Sequence, residues 1–196
     1  MTNYDRLIEF VREKQTGHPF AGFDHVERVH QISLELAKGL EVDEELLRTA
    51  AYLHDIAVPV FGAERHHERA AEVADALLDE IGFPREKKAA LYEVINTHTR
   101  YYATEPKSLE AKILKDADGI DYIGAVGVLR GVIRGFRSKK YDGNVSGHGV
   151  QLLESLIQNA IGTFTTEKGQ KMAEVRIELI RQYIHELQYE MLQKAD

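Results

Sequence analysis

Residues able to do chemistry in this chain are chiefly histidines and aspartates. Six of its nine histidines lie between His25 and His98. The most concentrated pair is His54-Asp55, which follows the apolar run Ala50-Ala51-Tyr52-Leu53. Side chains on adjacent residues diverge by about 100° around a helix. Both still reach one ion placed at the helix end, where the geometry relaxes. Taken alone, the dipeptide reads sooner as a histidine favourable to the helix dipole beside an ordinary surface carboxylate. The chain has no cysteine, which excludes a disulfide scaffold, thiolate zinc sites, iron–sulfur clusters and a cysteine nucleophile. Any metal chemistry must therefore use nitrogen and oxygen donors.

The elements that position these residues have a helical period almost throughout. Thr2 with Asp5 forms a capping-box pattern ahead of Leu7, Ile8 and Val11. Asp24 with Glu27 is expected to cap a second helix that stops at Gly39, and Asp43 a third that carries His54 and is ended by Val58-Pro59. A fourth is expected from about Glu64 to Ile81, and a fifth, opened by Pro84, brings in Ile95 and His98. Ser108 should cap a sixth that reaches Asp118. In Tyr122 to Arg137, Gly124, Gly127, Gly131 and Gly135 recur at spacings of three and four. Glycine costs roughly 1 kcal/mol per helical position relative to alanine, so this stripe predicts close packing on another helix. Ser138 to Gly149 reads as a glycine-rich loop. Two more helices follow, the last from about Glu167 to Gln193 with Met172, Leu179, Tyr183, Leu187 and Met191 on one stripe. No alternating strand pattern occurs. The expectation is one all-α domain over 1–196 of about eight to nine helices, with the C-terminal helices of 150–196 included.

Composition limits the partners. The net charge is −7, which argues against bulk nucleic-acid binding. No apolar run approaches membrane-spanning length. The N-terminus shows no basic n-region or apolar h-region, so a cytoplasmic protein without a signal peptide is expected. The apolar stripe of the last helix leaves open inward packing or contact with a partner chain, hence a homo-oligomer.

In their order, His25 within Gly22-Phe23-Asp24-His25-Val26-Glu27-Arg28-Val29, the pair His54-Asp55, the following His66 and Asp118 within Lys115-Asp116-Ala117-Asp118 resemble the HD-domain superfamily of metal-dependent phosphohydrolases. The segment 118–130 is similar to the acidic helix of one prokaryotic branch. Gly119 stands where that branch carries arginine, which removes a phosphate contact there but not the metal ligand. The resemblance covers residues 20–137 well and the C-terminus more loosely. It implies an HD-type helical bundle in which His25, His54, Asp55 and Asp118 hold a divalent metal.

The chemistry of that set is consistent with the implication. Two neutral imidazoles and two carboxylates neutralise a divalent cation and leave two octahedral positions for water and a phosphate oxygen. Such donors suit Mn²⁺, Fe²⁺, Co²⁺, Ni²⁺ or Mg²⁺ at least as well as Zn²⁺. Asp55 would also orient or deprotonate the attacking water. Asp121, one turn after Asp118, reads either as a supporting group or base or as a solvated charge. His66 and His98, with Asp55 bridging, offer a second metal site; the alternatives are phosphate binding or buried, hydrogen-bonded rings. His67 belongs to the same question. Arg28, Lys115 and Arg130 are the basic residues best placed for phosphate, and Arg134, Arg137, Lys139 and Lys140 extend a local positive patch. Phe61, Tyr101, Tyr102, Tyr122 and Phe136 could stack on a base. The resemblance thus points to a small phosphorylated substrate, with a nucleotide first. A phosphodiesterase or general phosphatase with two metals, or a non-catalytic binding module, are the alternatives.

Overall fold

In a computed structural model, residues 2–18, 22–99, 105–137 and 144–192 are described. Among them no strand occurs, and nine helices of nine residues or more account for nearly all regular structure, with one helix of four residues and two 3₁₀ turns besides. The chain divides into two compact units, Met1–Asp118 and Gly119–Asp196.

The first unit is built around α3 (Glu44–Leu53), against which α1 (Asn3–Gln15), α2 (Phe23–Ala37) and α6 (Lys88–Asn96) pack. Leu46, Leu47, Thr49, Ala50, Ala51, Tyr52 and Leu53 of α3 are all buried. Small Ala50 and Ala51 let neighbouring helices approach on both sides, and His54-Asp55 is delivered at the helix end into the interior. Thr2 and Asp5 form the reciprocal capping box expected of them. Asp43 accepts the Leu46 N–H at 3.1 Å, and Ser108 accepts that of Ala111 at 3.1 Å at the start of α7 (Leu109–Asp121).

Three local expectations need correction here. The cap of α2 is Gly22, not Asp24. A Cβ at Gly22 would lie 2.9 Å from the His18 carbonyl oxygen, so no larger residue fits the cap. Asp24 sits in the first turn, where its charge favours the helix dipole. Val58-Pro59 does not merely end a helix, because Val58–Phe61 forms its own short α4 with proline in the first turn, where no N–H is required. The helix expected from Glu64 is split. His66–Arg69 is a 3₁₀ turn entered through Arg65 in the left-handed region (φ 53°), and α5 (Ala70–Glu80) follows. Arg65 is held there by paired hydrogen bonds to Glu68 at 2.6 and 2.8 Å.

The second unit packs α8 (Gly124–Phe136), α9 (Val145–Ala160) and α10 (Glu167–Leu192) on one another. The glycine stripe of α8 meets three surfaces: a Cβ on Gly131 would stand 3.2 Å from Leu156 and one on Gly135 3.2 Å from Leu152, both on α9, whereas Gly124 faces Arg176 of α10 and Gly127 the Tyr122 carbonyl. α9 begins at Val145, so Gly147, His148 and Gly149 are helical rather than loop. Asn144 caps them by accepting the Gly147 N–H at 2.9 Å, which offsets the glycine cost. Residues 138–143 lie outside the described residues, Lys139 and Lys140 with them. The inward stripe of α10 is Gly169, Ala173, Ile177, Ile180 and Ile184; Leu179, Tyr183 and Met191 are exposed. α10 therefore carries two apolar stripes, and the one with small and β-branched residues packs inward.

Candidate metal centre

Six side chains from five places in the first unit converge. His25 comes from the first turn of α2, and His54 and Asp55 from the end of α3. His66 opens the 3₁₀ turn, His98 follows α6, and Asp118 lies on α7. All six are buried.

Backbone geometry fixes three of the rings. Nδ1 of His54 lies 2.7 Å from the Ala51 carbonyl oxygen, Nδ1 of His66 2.7 Å from that of Ala63, and Nδ1 of His98 2.6 Å from that of Ile95. A carbonyl only accepts, so each Nδ1 carries the proton and each Nε2 presents its lone pair. Ala51 and Ile95 sit in the last turns of their helices, where carbonyls lack a full set of helical donors.

Those lone pairs face one another and the carboxylates. His54 Nε2 and His25 Nε2 are 3.3 Å apart. Asp118 Oδ1 is 3.4 Å from His25 Nε2 and 4.0 Å from His54 Nε2. Asp55 Oδ2 is 3.6 and 3.7 Å from the same two nitrogens. Bonds of about 2.1 Å to one ion separate neighbouring octahedral donors by about 3.0 Å and opposite donors by about 4.2 Å. These five separations fall between those limits, and His25, His54 and Asp55 lie close enough together to hold one divalent cation, with Asp118 beside the two rings.

The other oxygen of Asp55 serves a second trio. Asp55 Oδ1 is 2.9 Å from His66 Nε2 and 3.6 Å from His98 Nε2, and the two nitrogens are 3.3 Å apart. Both Nδ1 atoms are committed to carbonyls, so two lone pairs meet at hydrogen-bond distance. Only a proton or a cation between them relieves the repulsion. Thus His25, His54 and Asp55 form one group able to hold a metal, and Asp55, His66 and His98 another.

The electrostatics favour charged Asp55 and Asp118 carboxylates and a neutral His54 ring. Burial alone would raise the Asp55 carboxyl pKa, but His54, His25, His66 and His98 hold it well below the usual range. Asp118 is likewise held low, by His25 above all, against burial. Burial pushes His54 down to about 4, with Asp55 opposing only in part. His66 moves the other way: burial lowers its pKa, but the hydrogen bond to Asp55 and that carboxylate's charge raise it more.

The remaining expected site residues fall elsewhere. Arg28 donates to Asp24 at 2.9 Å on its own helix. Lys115 is half-buried on α7, three residues before Asp118. In the second unit, Arg130 forms an ion pair with Asp121, which is fully buried, and its guanidinium covers the Tyr122 ring at 4.3 Å. The sequence leaves Asp121 as a supporting group, a base or a solvated charge and Arg130 as a phosphate contact; the structure buries Asp121, which excludes the solvated charge, and pairs the two. Phe61 faces the Arg69 guanidinium at 3.5 Å. His67 is buried, its Nε2 3.8 Å from Glu68. Tyr101, Tyr102 and the Phe136 side chain lie outside the described residues. Sequence reading missed the carbonyls of Ala51, Ala63 and Ile95. Their only signal is a uniform spacing of three residues before a histidine.

Known proteins are similar to this chain along nearly its whole length. The family model described as HD domain matches residues 22–123. A crystal structure of a predicted HD superfamily hydrolase from an uncultured Thermotogales bacterium is similar at 29% identity and a TM-score of 0.71, covering 97% of this chain and 94% of that one. Bacillus subtilis YpgQ is 25% identical over 183 residues, 91% of this chain and 86% of its own length. The crystal structure of YpgQ in complex with ADP superposes with a TM-score of 0.75 over 97% of both chains.

Proposed function

This chain belongs to the HD domain family, and from that premise we propose that it is a divalent-metal-dependent phosphohydrolase acting on a small phosphorylated substrate, a nucleotide in the first instance. The observation that carries the reading is the convergence of inward-facing Nε2 atoms with the Asp55 and Asp118 carboxylates, all buried. The preference for a nucleotide is supported by YpgQ, similar along nearly its whole length, which binds ADP in its crystal structure.

His25, His54, Asp55 and Asp118 would hold the ion. When bound, a divalent cation supplies Lewis acidity: it makes water nucleophilic at neutral pH and draws charge from a phosphoryl oxygen. The chain's own groups do the rest. The carbonyls of Ala51, Ala63 and Ile95 keep the rings in one tautomer. Asp55, an acceptor only, orients the attacking water by taking its hydrogen bond. Arg28 and Lys115 meet the substrate phosphate, Arg28 exchanging Asp24 for it. Asp121 sets the guanidinium of Arg130 rather than acting as a free base. The His66–His98 trio favours a second ion and, with it, two-metal hydrolysis; its members fit imidazole-binding ions such as Mn²⁺, Fe²⁺, Co²⁺, Ni²⁺ or Zn²⁺ better than Mg²⁺.

The test is a panel of nucleoside mono-, di- and triphosphates, cyclic nucleotides and p-nitrophenyl phosphate, each with several metals. Release of phosphate or pyrophosphate should require the metal and disappear in His54→Ala while the helical spectrum is kept. Wild-type turnover in that variant refutes the site. No release from any member of the panel refutes the enzyme and leaves a binding module.

A further inference from the structure

Helix α10 carries an apolar stripe that its own unit does not use. Among the described residues, six of the eleven exposed large apolar side chains lie on this helix. Val175 is 72% exposed, Leu179 43% and Tyr183 48%. At spacings of four they form one continuous strip, separate from the inward strip of Ala173, Ile177, Ile180 and Ile184.

Charges continue the strip in both directions, with opposite sign. Toward the N-terminus, exposed Lys168 and Lys171 lie on the same face, Lys171 paired with Glu167 at 2.5 Å, so that the two lysines and Glu167 leave one net positive charge at that end; toward the C-terminus, exposed Glu186 and Glu190 do. Glu174, Glu178 and Arg181 are on the flank, the last two paired with each other at 3.6 Å. The face is thus basic, apolar and acidic in order along about 33 Å of helix. A surface of that pattern is complementary to itself when turned end for end. A two-fold axis performs that operation, and an isologous interface demands that self-complementarity.

We propose that this chain forms a two-fold dimer through antiparallel packing of α10 on α10 of a second copy, centred on Leu179. In that register Leu179 meets its own counterpart and Val175 meets Tyr183. Met172 meets Glu186, and Lys168 meets Glu190. The contact needs no metal and stands apart from the phosphohydrolase reading.

The full chain is measured by sedimentation velocity and light scattering. The expected result is twice the chain mass. Leu179→Glu should give a monomer that keeps its helical spectrum, because the side chain is half exposed already, and that melts no lower than wild type diluted below the dimer dissociation constant. Lys168→Glu should raise the dimer dissociation constant at least tenfold, since it places like charges together twice per dimer. This change also puts a negative charge near a helix N-terminus, which favours the helix, so lost helix cannot be the cause. Adding Glu190→Lys in the same chain should restore the dimer to within about threefold. The protein has no cysteine, so one engineered thiol reports the register. Leu179→Cys should form a disulfide-linked dimer on oxidation. Val175→Cys should not, as its own counterpart lies about 12 Å along the axis, beyond disulfide reach. A chain still monomeric at about 100 µM, a dimer indifferent to Leu179→Glu, a double variant that fails to recover, or equal cross-linking at both positions overturns the proposal.

Discussion

Asp55→Asn is the sharpest perturbation of the centre, because it keeps the side chain's shape and removes a charge shared by two groups. With neutral imidazoles, the set His25, His54, Asp55 and Asp118 falls from two negative charges to one. The trio with His66 and His98 falls from one to none. Leaving a buried charge without one of its partners costs about 3–5 kcal/mol. Measured as metal affinity, that is roughly two to four powers of ten. Asp118→Asn is the control. Asp118 Oδ1 approaches His25 and His54 at 3.4 and 4.0 Å, whereas Asp55 Oδ1 is what reaches the other trio. The assay is metal content by mass spectrometry after dialysis at fixed free Mn²⁺, with metal-dependent phosphate release measured in parallel. Asp55→Asn should lose metal from both groups, and Asp118→Asn from the first only. Full metal content in Asp55→Asn, or equal losses in the two variants, would show that Asp55 is not the shared ligand.

Two further outcomes follow from packing and from burial. A Cβ on Gly127 would lie 2.3 Å from the Tyr122 carbonyl oxygen, which is backbone, whereas one on Gly131 meets side chains, the tip of Leu156 at 3.2 Å and Leu152 at 3.5 Å. Gly127→Ala is therefore expected to destabilise by about 2–4 kcal/mol, and Gly131→Ala to stay within about 1 kcal/mol of wild type once its gain in helix propensity is counted; urea melts distinguish them, and the reverse order would refute the packing argument. His30 is pushed down to about 4, by burial first and then by the Arg48 charge. Its unfolded form takes up a proton below about pH 6.5 while the folded form does not, so its contribution is intact above that value and lost as the pH falls toward 4. Between pH 7 and pH 5 wild type should lose at most about 2 kcal/mol more than His30→Gln in metal-free melts, less where solvent reaches the ring. Equal slopes would remove His30 from the acid response.

Signals confined to a few neighbouring residues were readable in the sequence. The Thr2–Asp5 box, the Asp43 cap and the Ser108 cap each need only a side chain and a backbone N–H three residues on. The ordered appearance of His25, His54-Asp55 and Asp118 pointed to one centre through its resemblance to the HD-domain superfamily, with which the chemistry of a divalent ligand set is consistent. What escaped depends on distant partners. Gly22 caps α2 because the His18 carbonyl leaves no room for a Cβ, and nothing in Gly22-Phe23-Asp24 says so. The glycines of α9 look like a loop until Asn144 and the neighbouring helix are considered. Periodicity found apolar residues on α10 but not which of its two stripes faces inward. Asp121 and Arg130 are nine residues apart on two helices, so only the turn between them makes them partners.

The ring-to-carbonyl contacts at His54, His66 and His98 have an evolutionary consequence. The anchors are main-chain atoms, so the aim of each ring does not depend on which side chain stands at positions 51, 63 and 95; at buried Ala51 and Ile95 packing alone restricts the choice. Drift at those positions leaves the aim of each imidazole untouched, whereas inserting or deleting one residue between anchor and ring destroys it. Such a centre tolerates at its anchors whatever substitution packing allows, while its spacing stays fixed. Related chains should therefore keep the three-residue interval more faithfully than the identity of the residue that supplies the carbonyl.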